Sequence, residues 1–556
     1  MLNKLYQRRR FLQNTALFST GLITSLVHPR PTSAGIVENE KAQYDYVVIG
    51  AGSAGSVVAN RLTENPATRV LLLEAGNPDT KPAIQVPVEW PTLLGTEVDW
   101  AYFTEEEPYL NKRKIFHPRG KVLGGSSSIN AMIYIRGNCH DYDHWQELGN
   151  PGWSYHDVLP YFKKSEDQQR GISLFHGVNG PLGISDPAAP SPVSQRFVEA
   201  AISRDYESNP DFNGIQQSGA GLYQRTIQDG KRESTAIAFL RPIFNRTNLT
   251  IKTGALVSRI LFEKTRTVGV AYIQNGTEYQ VRVSQEVILS AGTFDSPQLL
   301  MLSGIGPAEH LRALNIPVVV DLPGVGQNLQ DHPMVSVAYQ SLQELPLAPS
   351  SNLGEAGLFV RTNLSLDAAP NIQLTLAPIL FVNPAFARPG AAFSILVINN
   401  HPQSRGSVSL HSSNPKEPPL IRANYLQNKS DLKILVKGIK IARQIAHSSR
   451  LNEFRGEEIA PGTEVSNTKA IQAYIRQACD TVNHPVGTCK MGKDPMAVVD
   501  SQLRVRGIDG LRVVDASIMP LITTGNTNAP TIMIGEKAAD MIKAAQSVSQ
   551  KRVLPS

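Results

Sequence analysis

The sequence predicts an α/β protein with two interleaved domains, one of them a discontinuous, Rossmann-like dinucleotide-binding domain. Three observations carry that expectation. A strand, helix and strand with a glycine-rich turn opens at residue 44, two apolar strands able to complete its sheet come much later, and the long intervening segments hold no nucleotide motif. The length, 556 residues, also exceeds one ordinary core.

The opening unit is YDYVVIGAGSAGSVVANRLTENPATRVLLLEAG, residues 44–76. Residues 46–49 form an apolar, β-branched run suited to a buried parallel strand; 53–62 have helical spacing; 69–73 form a second apolar strand. Gly50, Gly52 and Gly55 place G-x-G-x-x-G at the strand-to-helix turn. There, missing side chains let backbone N–H groups and the helix N-terminus approach a pyrophosphate, with Ser53 alongside. Glu74 ends the second strand 24 residues after Gly50, where an acid can accept both ribose hydroxyls. The unit opens the domain, which favours FAD over a nicotinamide cofactor.

The completing strands are 286–291 and 511–514, the latter leading into Asp515 and Ala516. The expected FAD-binding domain is therefore 44–155, 231–332 and 476–546, and the substrate domain 156–230 and 333–475. Proline- and alanine-rich stretches at 186–192 and 381–392 read as loops. The second is long enough to serve either as a lid or as an ordinary surface loop.

The stretch FHPRGKVLGGSSSINAM, residues 116–132, gathers glycines, serines and polar side chains. Its GKVLGGSSSIN (120–130), followed by Tyr134, Gly137 and Asp143, resembles the first signature of the glucose-methanol-choline (GMC) oxidoreductases. GTFDSPQLLMLSGIG (292–306) resembles the second; HPVGTCKMG (484–492) and GNTNAPTIMIG (525–535) resemble the family's catalytic segments. The likeness runs from 44 to about 546 in the family's order and is nearest to the choline dehydrogenase-like branch of bacterial alcohol dehydrogenases.

That resemblance implies a two-lobed fold, with an FAD domain and an α+β substrate domain built on an antiparallel sheet. It implies alcohol oxidation by hydride transfer to flavin N5. Gly124 and Gly125 would let the chain pass a flat ring, and Ser126, Ser127 and Asn130 would hydrogen-bond the cofactor. Arg119, Gly120, Ala131, Val257, Ala291, Asp515 and Ala516 complete the expected cofactor contacts. His117 has two readings, covalent attachment to the flavin or packing near it.

Of twelve histidines, His484 alone lies in the family's catalytic motif, so the resemblance implies that it is the base. The family's second catalytic residue is a histidine or asparagine; counting back from Gly535 selects Asn528, with Asn526 as the competing choice and otherwise a flavin contact. Residues 531–544 then read as a helix whose positive end would face the flavin pyrimidine. His332, in GQNLQDHP, reads as part of a structural loop. His140 and His144 have i, i+4 spacing without a supporting ligand cluster, so no metal is expected.

QRRRFLQ at 7–13, a mildly apolar run of about 14 residues and Thr32-Ser33-Ala34 read as an export signal over 1–34. The run is shorter than the ~20 residues a spanning helix needs. Arg8-Arg9 resembles twin-arginine signals for folded cargo, so the twin-arginine export machinery is an expected partner and the bacterial periplasm the expected destination. Losing the segment removes five basic residues and no acid, lowering the formal charge from +6 to +1. Nucleic acid, which needs a clustered basic surface, is not an expected partner. Cys139, Cys479 and Cys489 form no CxxC pair; Cys479 and Cys489 read as buried thiols or as one disulfide.

The expected partners are thus a small alcohol and an electron acceptor, whether quinone, cytochrome or oxygen. The resemblance leaves two alternatives: a non-redox flavoprotein, either a hydroxynitrile lyase or a fatty-acid photodecarboxylase, and a flavin-binding protein without catalysis.

Overall fold

The computed structural model describes residues 37–39, 43–362 and 368–553. The leader expected over 1–34 lies outside them.

Two large sheets organise the chain. In the first, an eight-stranded sheet, the path runs Leu249–Lys252, Val70–Leu73, Tyr44–Ile49, Thr277–Leu289, Arg266–Gln274 and Ala255–Glu263. Leu511–Val513 and Val37–Asn39 also pair with Thr277–Leu289. Both faces of the central strands are covered: Val47, Val48, Leu71 and Leu72 have no exposure. This is why they read as unbroken apolar runs instead of alternating ones.

Thr277–Leu289 changes partners along its length. Residues 277–282 pair antiparallel with Arg266–Gln274, while 286–289 lie parallel to 46–49 and 287–289 parallel to 511–513. The completing strand expected at 286–291 is therefore the far end of a thirteen-residue strand. Its register shift between Val283 and Glu286 lets one strand serve both pairings.

The second sheet has seven strands and is antiparallel. Its path is Arg455–Ala460, Pro333–Ser341, Ala392–Asn399, Ile372–Ala377, Ala356–Val360 and Gly219–Leu222, with Asp480–Thr481 beside Pro333–Ser341. The helix Lys429–Ala446 covers it through Leu435, Ile439 and Ala442, all fully buried. Gly438 is required there, because a Cβ would sit 2.2 Å from Val397 Cγ1.

Two segments cross the expected division. Helix Tyr155–Ser165 lies almost wholly within 156–230, yet its Val158 and Phe162 join the dinucleotide-side core and it packs on helix Asn528–Val553. Strand Asp480–Thr481, beyond 475, joins the second sheet. Both are short elements whose partners are far away in sequence, so composition could not allocate them. Cys139, Cys479 and Cys489 are free thiols, the last two buried.

Candidate active site

The glycine turn is fixed by backbone crowding. Gly50 has φ +93°, and a Cβ on it would meet Ser290 O at 2.4 Å; one on Gly55 would meet Gly50 O at 1.9 Å. Gly125, at φ +52°, brings the second glycine-rich loop against this turn: its Cβ would lie 2.7 Å from Gly52 Cα. The two loops thus touch backbone to backbone, and side chains on either would separate them.

Between them and the C-terminal segment lies a cavity of about 460 Å³. Its wall includes Gly50, Gly52, Ser53, Glu74, Arg119, Gly120, Gly125, Ser126, Asn130, Ala131, Val257, Ala291, Asp515 and Ala516, together with His484, Asn526 and Asn528. Gly55 and Gly124 stand behind it, shaping the turns. Ser127 points away, donating from Oγ to Gly124 O at 2.6 Å and standing 2.9 Å from Thr235 Oγ1. Sequence reasoning missed Trp100, Tyr102, Lys121 and Asp295 on the wall. Lys121 and Asp295 lie inside the motifs at 120–130 and 292–306 and so carried a signal, whereas Trp100 and Tyr102 carried none.

Glu74 is anchored by its neighbours. Its carboxylate accepts from Ala51 N–H at 2.9 Å and Gly76 N–H at 2.7 Å, and burial pushes its pKa up to about 7. Asp515 accepts from Gly292 N–H at 2.9 Å and Ser296 Oγ at 2.6 Å, tying the last parallel strand to the helix Gly292–Leu302.

At the other end of the cavity, His484 is held by both ring nitrogens. Its Nδ1 lies 3.0 Å from Nδ1 of His332, whose Nε2 lies 2.9 Å from Asn400 O. A carbonyl can only accept, so His332 carries its hydrogen on Nε2 and its Nδ1 accepts from His484 Nδ1–H. His484 Nε2 therefore carries no hydrogen, and its lone pair accepts from Asn526 Nδ2 at 3.1 Å. Burial, followed by the charge of Arg119, pushes the His484 pKa down to about 3, and that of His332 well below its ordinary value. Both imidazoles are therefore neutral at physiological pH.

Asp331 fixes this pair from beneath. Its carboxylate accepts from the backbone N–H of His484 at 2.8 Å and of His332 at 2.9 Å, and from the hydroxyls of Tyr425 and Thr481.

Two expectations need correction. Asn528, chosen to stand beside His484, instead accepts from Ser53 Oγ at 2.7 Å; Asn526 is the one at the histidine. The physical reason is that the helix begins at Asn528, not Thr531, because Pro530 is tolerated in a first turn where its missing N–H has no helical partner to lose. Asn528 thus turns with the helix while Asn526 stays in the preceding loop. His117 does not line the cavity: its Nε2 is 3.0 Å from Tyr425 Oη, its ring stacks on Tyr425, and its Nδ1 is buried without a partner. That arrangement agrees with the packing reading of the two. His332, expected to be structural, is bonded directly to His484, across 152 residues that no local motif could bridge.

The dinucleotide turn, the second glycine loop packed on it, and the histidine at the far end are now joined by comparison with known proteins. Models of the GMC oxidoreductase family match residues 44–334 and 402–535. The chain is a GMC oxidoreductase. It is 42% identical to mitochondrial choline dehydrogenase of Mus musculus, covering 94% of this chain and 93% of that one. To the alcohol dehydrogenase [acceptor] of Pseudomonas putida it is 43% identical over 90% of this chain and 95% of that one. Among solved structures it resembles pyridoxine 4-oxidase from Mesorbium loti, with a TM-score of 0.87, 36% identity, and coverage of 90% of this chain and 99% of that one.

The cofactor of this GMC oxidoreductase is FAD. The residues present fit it: the cavity spans from Glu74 and the glycine turn to His484, the walls at Gly52 and Gly125 are bare backbone, and Asn526 Oδ1 and Ser290 Oγ are buried polar atoms without partners. Glu74 would hold the ribose, the Gly50 turn the pyrophosphate, and the wall near His484 the ring system.

Proposed function

We propose that this GMC oxidoreductase oxidises an alcohol to an aldehyde or ketone with His484 Nε2 as the base and Asn526, not Asn528, as its partner. The observation that carries the assignment is the directed chain Asn526 Nδ2–H to His484 Nε2, His484 Nδ1–H to His332 Nδ1, and His332 Nε2–H to Asn400 O. A hydroxyl that displaces the Asn526 amide from Nε2 donates its hydrogen to that nitrogen and accepts from Nδ2. As the proton passes to Nε2, the positive charge on His484 is stabilised through Nδ1–H by His332, whose own orientation Asn400 fixes. The amide of Asn526 meanwhile donates to the oxygen as negative charge gathers there. When bound, the flavin supplies the hydride acceptor. Burial keeps His484 unprotonated, so it is ready to accept before the substrate arrives.

Anaerobic mixing of the purified holoenzyme with aliphatic, aromatic and amino alcohols tests this reading. Bleaching of the flavin is expected, and its loss in His484→Ala with FAD still bound assigns the base. If no alcohol bleaches the flavin, alcohol oxidation is the wrong chemistry; if His484→Ala reduces as fast at neutral pH, the base lies elsewhere.

The electron acceptor we propose is a quinone or cytochrome, supported by export, since the Arg8-Arg9 leader suits passage of a folded, FAD-loaded protein to the periplasm. Replacement of both arginines by lysine is expected to leave the protein in the cytoplasm. Normal export of that variant would exclude the twin-arginine route.

A further inference from the structure

A second cavity of about 440 Å³ adjoins the first. The two share Trp90, Leu94, Pro118 and Asn483, and Asn483 is the residue before His484. The second cavity therefore opens from the first beside the residue that precedes His484. Its walls are large and apolar, with Trp90, Phe103, Phe116, Leu345, Ile379 and Leu380 drawn from both halves of the molecule. The loop 381–392, whose turn is Pro384–Phe386, closes one side.

Charge is sparse on this wall and nearly balanced, so it offers a cation no net attraction. Arg113, Lys114 and Arg388 stand against Glu344 and Asp480, and Lys114, Glu344 and Arg388 are exposed at the rim. A quaternary ammonium such as choline would need a wall with net negative charge or a closed aromatic cage. A neutral hydrocarbon needs only dry apolar surface, which gains with every methylene buried.

We infer that the second cavity holds the tail of the substrate, and that the substrate is a neutral alcohol with a large apolar tail instead of choline. This rests on the alcohol-oxidation reading above. The tail lies along Trp90, Leu345 and Leu380, which brings the hydroxyl carbon past Asn483 to His484.

The test is a series of straight-chain primary alcohols from propan-1-ol to decan-1-ol, with choline alongside, followed by anaerobic flavin reduction. The expected result is a kcat/KM that climbs about fourfold per added methylene until the cavity is filled, with choline below hexan-1-ol. A flat series, or choline above hexan-1-ol, overturns the inference and leaves alcohol oxidation standing. Reduction by no alcohol overturns the chemistry itself. In that event calorimetric binding of two inert ethers decides about the cavity: 1-methoxydecane binding more tightly than 1-methoxypropane supports it, and equal binding overturns it. Leu380→Trp should lower the ratio of kcat/KM for decan-1-ol over propan-1-ol by about tenfold or more. Leu345→Trp serves if the first variant does not fold, and an unchanged ratio in a folded variant overturns the inference.

Discussion

His484 and His332 meet Nδ1 to Nδ1 at 3.0 Å, and the hydrogen between them belongs to His484. The carbonyl of Asn400 settles this by occupying the other side of His332. A backbone oxygen far from the reacting atoms thus decides which nitrogen of the base is free.

Removing that control should be measurable. His332→Ala leaves His484 Nδ1 without its acceptor and lets the ring choose the other tautomer. Flavin reduction should slow by about 10²-fold while FAD content is retained. His332→Asn, whose side-chain oxygen can still accept, should recover part of the loss. Equal rates for wild type and His332→Ala in rapid-mixing experiments would dismiss the relay.

The two asparagines should part company. Asn526→Ala removes the donor beside His484 Nε2, and a lost donor of this kind slows turnover about 10²- to 10³-fold. Asn528→Ala breaks only the bond to Ser53, so its effect should fall on FAD retention more than on the reduction rate. Reduction rates and absorbance ratios of the two purified variants, compared directly, decide between them; a larger rate loss in Asn528→Ala would reverse the assignment.

Acid should cost stability before it costs the base its lone pair. A histidine in an unfolded chain titrates near 6.5, whereas burial, then Arg119, holds His484 down to about 3; His117 is likewise down to about 3. Between those values the unfolded chain binds protons that the folded one refuses. This contribution to stability is full above about 6.5 and is lost as pH falls toward 3. Tm should therefore drop between pH 7 and 5, and less steeply in His484→Gln. The acid limb of kcat/KM should lie below 6.5; a limb centred on 6.5 would mean that the base is solvated.

Gly125→Ala probes the contact between the two glycine loops. Its Cβ would fall 2.7 Å from Gly52 Cα, at a φ of +52° that alanine resists. The variant should purify with little FAD and a lower Tm. Full cofactor content would show that the loops can separate without loss.

What the sequence displayed plainly was local. Gly50, Gly55 and Glu74 sit within 25 residues, and their spacing alone prescribes a strand, a tight turn, a helix and an acid at a strand end. The pairing of His332 with His484 was illegible because it depends on Asp331, Thr481 and Tyr425 converging from separate segments. The exchange of Asn526 for Asn528 had a narrower cause: a helix start displaced by three residues swings two neighbouring side chains to different sides. His117 kept two readings in the sequence because it lies one residue from the cavity wall at Pro118, while only the fold shows its ring turned toward Tyr425.

The partner change along Thr277–Leu289 also dictates when the enzyme can be loaded. That strand waits for Leu511–Val513, and the cavity wall closes only with residues 526–531. A ribosome must release nearly the whole polypeptide before a cradle exists. Chains truncated after residue 505 should consequently emerge colourless, whereas completed ones gain their yellow colour after synthesis; colour in the truncated chains would refute this order. The expected assembly is late, with a strand made halfway through translation completed by a mate made almost at its end.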